Sequence, residues 1–320
     1  MTNILLITNK SDITTDFVVK QLTINGASFY RLNTEDILTK VFLSFDFYRN
    51  EFHLLDNDSE IIIDLLQIKT VYYRRPLLPK IDNENLTKGE EYFIQSEIIN
   101  YLEGLYKILK NAFWISSVYS IREAESKIYQ LQIAKELGFT IPKSLLTNDK
   151  NSALHFTQNI DCIVKPIKTG YIQDEDQERL IFTTLFKEYE QLDRIQFCPT
   201  YFQEFINKVA DIRVTVIDEK VFAAKIHSQE HEETKIDWRK AEKLKLRYEK
   251  VNLTSDLEKL CIKLTKKLGL NFGAIDLVEN MKGDYFFLEI NPNGQWAWIE
   301  KQLDYKISHE IAKLLMNGKN

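Results

Sequence analysis

Asp276, Glu289 and Asn291 carry oxygen ligands at a spacing that can bring them together. Residues 272–298 read as two apolar strands joined at Met281-Lys282-Gly283-Asp284. With the turn centred between Lys282 and Gly283, Asp276 falls opposite Glu289. Asn291, two residues on, shares the face of Glu289, and Pro292 after it favours an extended backbone there. Two carboxylates and an amide oxygen on a ribbon otherwise rich in Ile, Leu, Val and Phe suit Mg²⁺ held jointly with nucleotide phosphates. The same pattern also describes a half-buried hairpin with one polar face.

Upstream lie the cations that such a site needs. Lys127 opens the middle region, and Lys165 ends the run Cys162-Ile163-Val164-Lys165 before Pro166. A lysine among apolar neighbours wants an anionic partner for its head; an exposed, snorkelling lysine is the alternative for both. Gln203-Glu204-Phe205-Ile206 is an extended hinge whose backbone can read an adenine edge while Glu204 takes ribose hydroxyls, and an ordinary alternating strand fits it as well. Asp211 and Arg213 share one face of the next strand. Arg213 can neutralise a phosphate or a developing acyl phosphate through its planar fork, or form a surface pair with Asp211. Residues 239–250 hold six basic and two acidic side chains, either a solvated face or an attraction for an anionic substrate. Tyr72-Tyr73-Arg74-Arg75-Pro76 is the other basic cluster. His227 and His231 have strand–loop context, which excludes a zinc site, and no Ser–His–Asp or Cys–His nucleophile pattern is legible.

The elements that position these residues belong to an α/β (α+β) chain of 320 residues. An apolar strand at 3–8, a helix ending at Gly26 and a strand at 28–32 make a βαβ start. The turn after the first strand has no glycine, which argues against a dinucleotide site there. Strands follow at 41–55, 60–66 and 71–75, then a long amphipathic helix at 86–110. The middle region reads as a helix over 122–137, strands at 143–147 and 162–165, a helix at 151–158, a mobile acidic loop at 169–179 and a helix at 185–192. Strands at 201–206, 212–217 and 221–227, a helix at 253–268, the hairpin and a helix from 299 complete the chain. The expected domains are 1–118, 119–200 and 201–320.

Hydrophobic content of 44% with 28% charged residues is ordinary for a globular protein. A net charge of −5 gives no global argument for nucleic acid or an anionic membrane. Cys162, Cys198 and Cys261 are odd in number and far apart, as reduced thiols of a cytoplasmic protein are. No apolar run approaches about 18 residues, so neither a signal peptide nor a membrane span is expected.

The order Lys127, Lys165, Glu204, Arg213, Asp276, Glu289, Asn291 resembles the ATP-grasp superfamily of carboxylate–amine ligases. RLNTED at 31–36, YYRRP at 72–76, DIRVTVI at 211–217 and FLEINPNGQWAWIE at 287–300 resemble its peptide-modifying branch, the ligases of microviridin and related graspetides. The resemblance implies an ATP-grasp fold with an N-terminal pre-grasp domain, a central α/β domain and a C-terminal antiparallel-sheet domain. ATP and Mg²⁺ are the implied cofactors. Asp276, Glu289 and Asn291 would carry the metal. Lys127 and Lys165 would meet phosphates, with Glu204, Phe205, Ile206 and Asp211 completing the nucleotide site. Arg213 and Arg239 would face the reacting carboxylate, and Arg74, Arg75 and His227 would contact substrate. The implied partner is a ribosomal precursor peptide with a leader and an acidic core, and a homodimer is a family expectation. The implied reaction joins Glu or Asp side chains to Ser or Thr hydroxyls or Lys amines in a macrocycle. A ligase adding a free amino acid and a non-catalytic, nucleotide-regulated peptide binder are the alternatives. The acidic, glycine-poor loop at 169–179 departs from many superfamily members.

Overall fold

Ile4–Thr8 (β1) is buried along its whole length, as the central strand of a parallel sheet covered on both faces should be. The computed structural model describes residues 2–81, 85–168, 170–173, 178–187, 189–241 and 244–318. After β1, Asp12 caps α1 (Ile13–Ile24) by accepting from Thr14 N. β2 (Phe29–Asn33) follows. β3 (Val41–Asp46), β4 (Glu51–Asp56) and β5 (Ile61–Asp64) form a separate antiparallel meander. β6 (Thr70–Tyr73), α2 (Lys88–Ile108) with its Thr87–Glu90 capping box, β7 (Phe113–Trp114) and α3 (Val118–Ala124) come next. The parallel sheet has the order β2-β1-β6-β7. Leu5, Leu32, Leu54, Val71, Leu102 and Leu105 belong to one core cluster beneath these elements.

The chain divides into two compact units, with the change at Ile121/Arg122. The second unit begins within α3, and the expected 122–137 helix breaks just after α3 ends. Ser126 accepts from Tyr129 N and starts a new helix, α4 (Lys127–Leu137), which Gly138 ends in a left-handed conformation. The break places Lys127 on the first turn of α4 rather than mid-helix. β8 (Ser144–Thr147), α5 (Lys150–Thr157), β9 (Cys162–Lys165), β10 (Tyr171–Gln173), β11 (Glu178–Leu180), β12 (Thr184–Leu185) and β13 (Thr200–Glu204) follow. β10 and β11 pair as an antiparallel hairpin where sequence composition suggested a mobile loop; Thr169 and residues 174–177 of that loop lie outside the described residues. The expected helix at 185–192 is instead β12 and a 3₁₀ segment, Tyr189–Gln196. Its Leu192 and Ile195 close a small core with Ala153 and Phe202 under the sheet β12-β9-β13-β8.

A five-stranded antiparallel sheet completes this unit in the order β16-β15-β14-β17-β18. Its members are β14 (Lys208–Ile217), β15 (Lys220–Ile226), β16 (Tyr248–Lys250), β17 (Phe272–Asn280) and β18 (Tyr285–Asn291), with α6 (Ser255–Lys267) inserted before β17. α4 packs on α6 and β18. It also covers the open edge of β18, because the Gln130 amide imitates a peptide group. Gln130 Nε2 donates to Ile290 O at 2.8 Å and Ala124 O at 2.6 Å, and Oε1 accepts from Ile290 N at 3.0 Å. Gln130→Leu keeps the volume and orphans all three backbone groups. It is expected to cost about 2–3 kcal/mol, read by urea unfolding.

The C-terminal α7 (Ala297–Leu303) and α8 (Ile307–Asn317) are two helices where one was expected. Residues 295–301 and 305–320 group with the first unit, in which α8 packs beside α1. This tail thus belongs to the N-terminal unit, not to the unit holding β14–β18. Among the described residues no helix is long and apolar enough to cross a membrane.

Candidate active site

β14, β17 and β18 align Arg213, Asp276 and Glu289 across three strands, Arg213 opposite Asp276 and Asp276 opposite Glu289. Directly opposed residues share a face, so the three side chains stand together. Arg213 Nε donates to Asp276 Oδ1 at 2.8 Å. The Asp276–Glu289 pairing arises differently from the expected register. Near the turn the pairs are Glu279–Tyr285, Val278–Phe286 and Leu277–Phe287, one residue off a hairpin centred between Lys282 and Gly283. A β-bulge at Leu288 restores the offset. Leu288 and Glu289 both line the cleft, while Phe287 and Ile290 are buried.

Lys127 Nζ lies 3.0 Å from Glu289 Oε2 and donates to Pro166 O at 3.1 Å. A cation on the first turn of a helix meets an unfavourable macrodipole; Glu289 offsets it. Lys165 stands opposite Tyr201 across β9 and β13. Its ammonium donates to Gln203 Oε1 at 3.0 Å and lies 4.6 Å from the Tyr201 ring centroid. Gln203 Nε2 in turn donates to Tyr201 Oη and Ser144 Oγ. Burial pushes Lys165 down to about 8, with Glu289 opposing the shift. Lys127, Lys165, Gln203, Arg213, Asp276 and Glu289 line a cleft of about 640 Å³ within the second unit, a size suited to a small-molecule ligand.

The two carboxylates titrate as a pair. Burial pushes Asp276 up against the pull of Arg213, and the charge of Glu289 adds to the rise. Burial acts the same way on Glu289, but Lys127 and Lys165 outweigh it and hold Glu289 low. Among the described residues no three His, Cys, Asp or Glu side chains gather as metal ligands. A divalent cation here would rest on two carboxylates and the amide oxygen of Asn291. That donor set fits Mg²⁺, which usually takes few protein ligands plus phosphates. The upward push of one carboxylate on its neighbour is the repulsion a dication relieves.

Arg239 also lines the cleft. Asp237 holds it by two bonds, Nε to Oδ1 at 2.8 Å and Nη2 to Oδ2 at 2.6 Å. Asp211 is buried and takes Lys208 Nζ on both oxygens at 2.8 and 2.7 Å, so its partner is Lys208 rather than Arg213. Glu204 exchanges backbone and carboxylate bonds with Lys143, and Phe205 N donates to Asp161 O. Glu204, Phe205 and Ile206 are not among the residues lining the cleft. Neither is His227, which engages Arg247 Nη2 at 2.8 Å and Glu249 Oε1 at 3.3 Å.

Arg74 and Arg75 belong to the first unit. The Arg74 guanidinium is 1% exposed, 3.1 Å from Asp12 Oδ2, and donates to Gln295 Oε1 at 2.9 Å. Asp12 and Gln295 occupy the groups expected to meet substrate, so Arg74 is a buried structural cation. Arg75 has φ 47° and its carbonyl accepts from Asn9 Nδ2. Gln203, Lys208 and Asp237 were not singled out as site residues from sequence. A polar residue alternating with Tyr201, and an Asp two positions before an Arg, were the available signals. Residues 242–243 of the basic stretch lie outside the described residues.

Residues 124–315 match the RimK-like ATP-grasp domain, and residues 3–122 match the MvdD pre-ATP grasp domain. A Chryseobacterium gregarium RiPP-associated ATP-grasp ligase, solved with ADP and a leader and core peptide, superposes with TM-score 0.92. It is 30% identical, over 99% of this chain and 97% of that one. The macrocyclase MdnC of Microcystis aeruginosa MRC, bound with precursor peptide MdnA, superposes with TM-score 0.86 at 26% identity, over 99% and 100%. A probable alpha-L-glutamate ligase of Histophilus somni is 29% identical over 203 residues, 60% of this chain and 63% of that relative's length. The chain belongs to the RimK-like ATP-grasp family, in the branch of RiPP-associated ATP-grasp ligases that contains the graspetide maturases.

Proposed function

We propose that the protein is an ATP-dependent macrocyclising ligase acting on an acidic ribosomal precursor peptide. The observation that carries this reading is the gathering of Lys127, Lys165, Arg213 and Arg239 around two opposed carboxylates in one cleft. The match to the RiPP-associated ligase along nearly the whole of both chains supports the peptide as substrate.

In this reading Lys127 and Lys165, which line the cleft, hold nucleotide phosphates. Asp276, Glu289 and Asn291 hold Mg²⁺, which when bound neutralises charge on the phosphates. A side-chain carboxylate of the peptide is a poor electrophile, because its leaving group would be oxide. Transfer of the γ-phosphoryl group to it gives an acyl phosphate and ADP. Arg213 and Arg239 spread the charge that develops on the reacting carboxylate. A hydroxyl or amine of the same peptide then attacks, phosphate leaves, and the ring closes by an ester or an amide. Holding both ends of one bound peptide lowers the entropic cost of that step.

Incubation with ATP, Mg²⁺ and a candidate precursor should remove one water per ring, read by mass spectrometry. An unchanged mass with a precursor encoded beside the ligase refutes the reading. The similarity to a glutamate ligase favours a second reading, addition of a free amino acid to a carboxylate; the product mass then rises.

Lys165 sets a pH limit on nucleotide binding. Its ammonium is charged below about 8 and is lost above it, so phosphate affinity should fall as pH rises through that value. ADP titrations from pH 6.5 to 9.5 should show the alkaline limb. Lys165→Arg, always charged, should flatten it.

A further inference from the structure

Asp237 makes more bonds than a surface carboxylate has reason to make. It is 5% exposed and accepts four hydrogen bonds. Oδ1 takes the side-chain Nε and the backbone N of Arg239 at 2.8 and 3.1 Å. Oδ2 takes Arg239 Nη2 at 2.6 Å and the backbone N of Thr183 at 3.1 Å. All four donors favour the ionised carboxylate. Burial alone would raise Asp237, but the Arg239 bonds and charge outweigh it and keep it below the usual carboxylate range.

The partners occupy different segments of the cleft wall. Arg239 sits on the 3₁₀ turn Trp238–Lys240, whereas Thr183 follows β11. A second contact joins the same two segments, Lys240 Nζ 5.6 Å from the Phe182 ring centroid. Phe182, Thr183, Trp238 and Arg239 all line the cleft. The Arg239 side chain nonetheless remains half exposed, at 51%. With Nε and Nη2 engaged on one edge, the opposite edge, carrying Nη1, is the one left to meet an anion.

Resting on the proposed function, we infer that Asp237 is the positioning residue for Arg239. It fixes which edge of the guanidinium faces the acidic substrate, and it ties that orientation to the 182–183 wall of the cleft. Asp237 itself touches no reacting atom in this arrangement.

The test is a double-mutant cycle on Asp237→Asn and Arg239→Ala, with two readouts. Asn is isosteric, but its amide nitrogen must face an Arg239 donor at either position, and the Thr183 amide as well at one of them, donor against donor. The first readout is binding of a fluorescent poly-glutamate peptide by anisotropy, which needs no turnover. Each single variant should weaken binding about 10-fold or more, and the double variant should be no weaker than Arg239→Ala. The second readout is ADP release with a precursor peptide. Asp237→Asn should raise KM for the peptide, leave KM for ATP within about 2-fold, and recover in part as Asp237→Glu. Additive losses, unaltered poly-glutamate binding in Asp237→Asn, or peptide binding that does not depend on Arg239 would each overturn the assignment. A merely structural role would instead lower the melting temperature and move both KM values together. If the wild type binds poly-glutamate through Arg239 and Asp237 yet ligates no peptide, the proposed function fails while the positioning role stands.

Discussion

Glu289→Ala is expected to reduce ATP-dependent ligation by about 10²–10³-fold, the scale of losing one well-placed charge in a cleft, while the protein remains folded. Glu289 has two jobs that the geometry makes inseparable. It is one of the two opposed carboxylates proposed to hold the metal, and it is the counter-ion that lets Lys127 and Lys165 share a wall of the cleft. Its removal leaves two ammonium groups facing each other with less negative charge between them. Because Glu289 raises Lys165, its loss should push Lys165 further down, and the alkaline limb of ADP binding should move to lower pH. The cost to folding is moderate, about 1–3 kcal/mol, because the Lys127–Glu289 pair is only partly exposed on the cleft wall. Ligation and ADP release test the first half of this expectation, and thermal melting with the pH series of ADP binding tests the second. Wild-type ADP release by a folded Glu289→Ala variant would refute the metal assignment.

The opposed pair was legible from residue types and approximate spacing, but the pairing of 276 with 289 depends on a bulge that offsets a turn one residue from the expected place. The means was not read. A hairpin without irregularity cannot satisfy both the turn observed at Gly283, with φ 83°, and the Asp276–Glu289 pairing. The signal lay in FFLEIN, where the core residues Phe287 and Ile290 are three apart and break a period of two. The break before Lys127 was equally readable from Ser126, an N-cap residue. Arg74 shows the opposite case. Its partner Asp12 is 62 residues away, and no local pattern says that two adjacent strand ends of a parallel sheet will bury that pair. A surface pair of Asp211 with Arg213, its neighbour on the same face, was one of two readings the sequence allowed, yet Lys208 holds both Asp211 oxygens. Local spacing limits which residues can meet; competition among several cations for several carboxylates is decided by the sheet.

That competition makes Arg213→Ala the most damaging single change expected in the cleft. Arg213 is 8% exposed, holds Asp276 at 2.8 Å and lies 5.7 Å from the Trp238 ring centroid. Its replacement leaves Asp276 buried without its strongest counter-ion, a situation that costs about 3–5 kcal/mol when one partner of a buried pair is lost. Asp276 is already pushed up by burial and Glu289, and Arg213 opposes that rise. Without Arg213 the carboxyl should therefore hold a proton at higher pH. The sign follows from linkage: a raised carboxylate binds more protons folded than unfolded, so stability falls as pH rises from the unfolded value near 3.8 through the folded one. Arg213→Ala should thus be more stable at mildly acidic pH than at neutral pH, relative to wild type, in urea melts across that range. Adding Asp276→Asn should restore most of the stability, because a neutral amide needs no counter-ion. It should restore no ligation, because both the guanidinium proposed to spread charge and one of the carboxylates proposed to hold the metal are then gone. Arg213→Lys separates the two roles in the other direction: it keeps a positive charge beside Asp276 and most of the stability, but it loses the planar fork. If Arg213→Lys ligates peptide as wild type does, charge alone is sufficient and the fork geometry assigned to Arg213 is wrong.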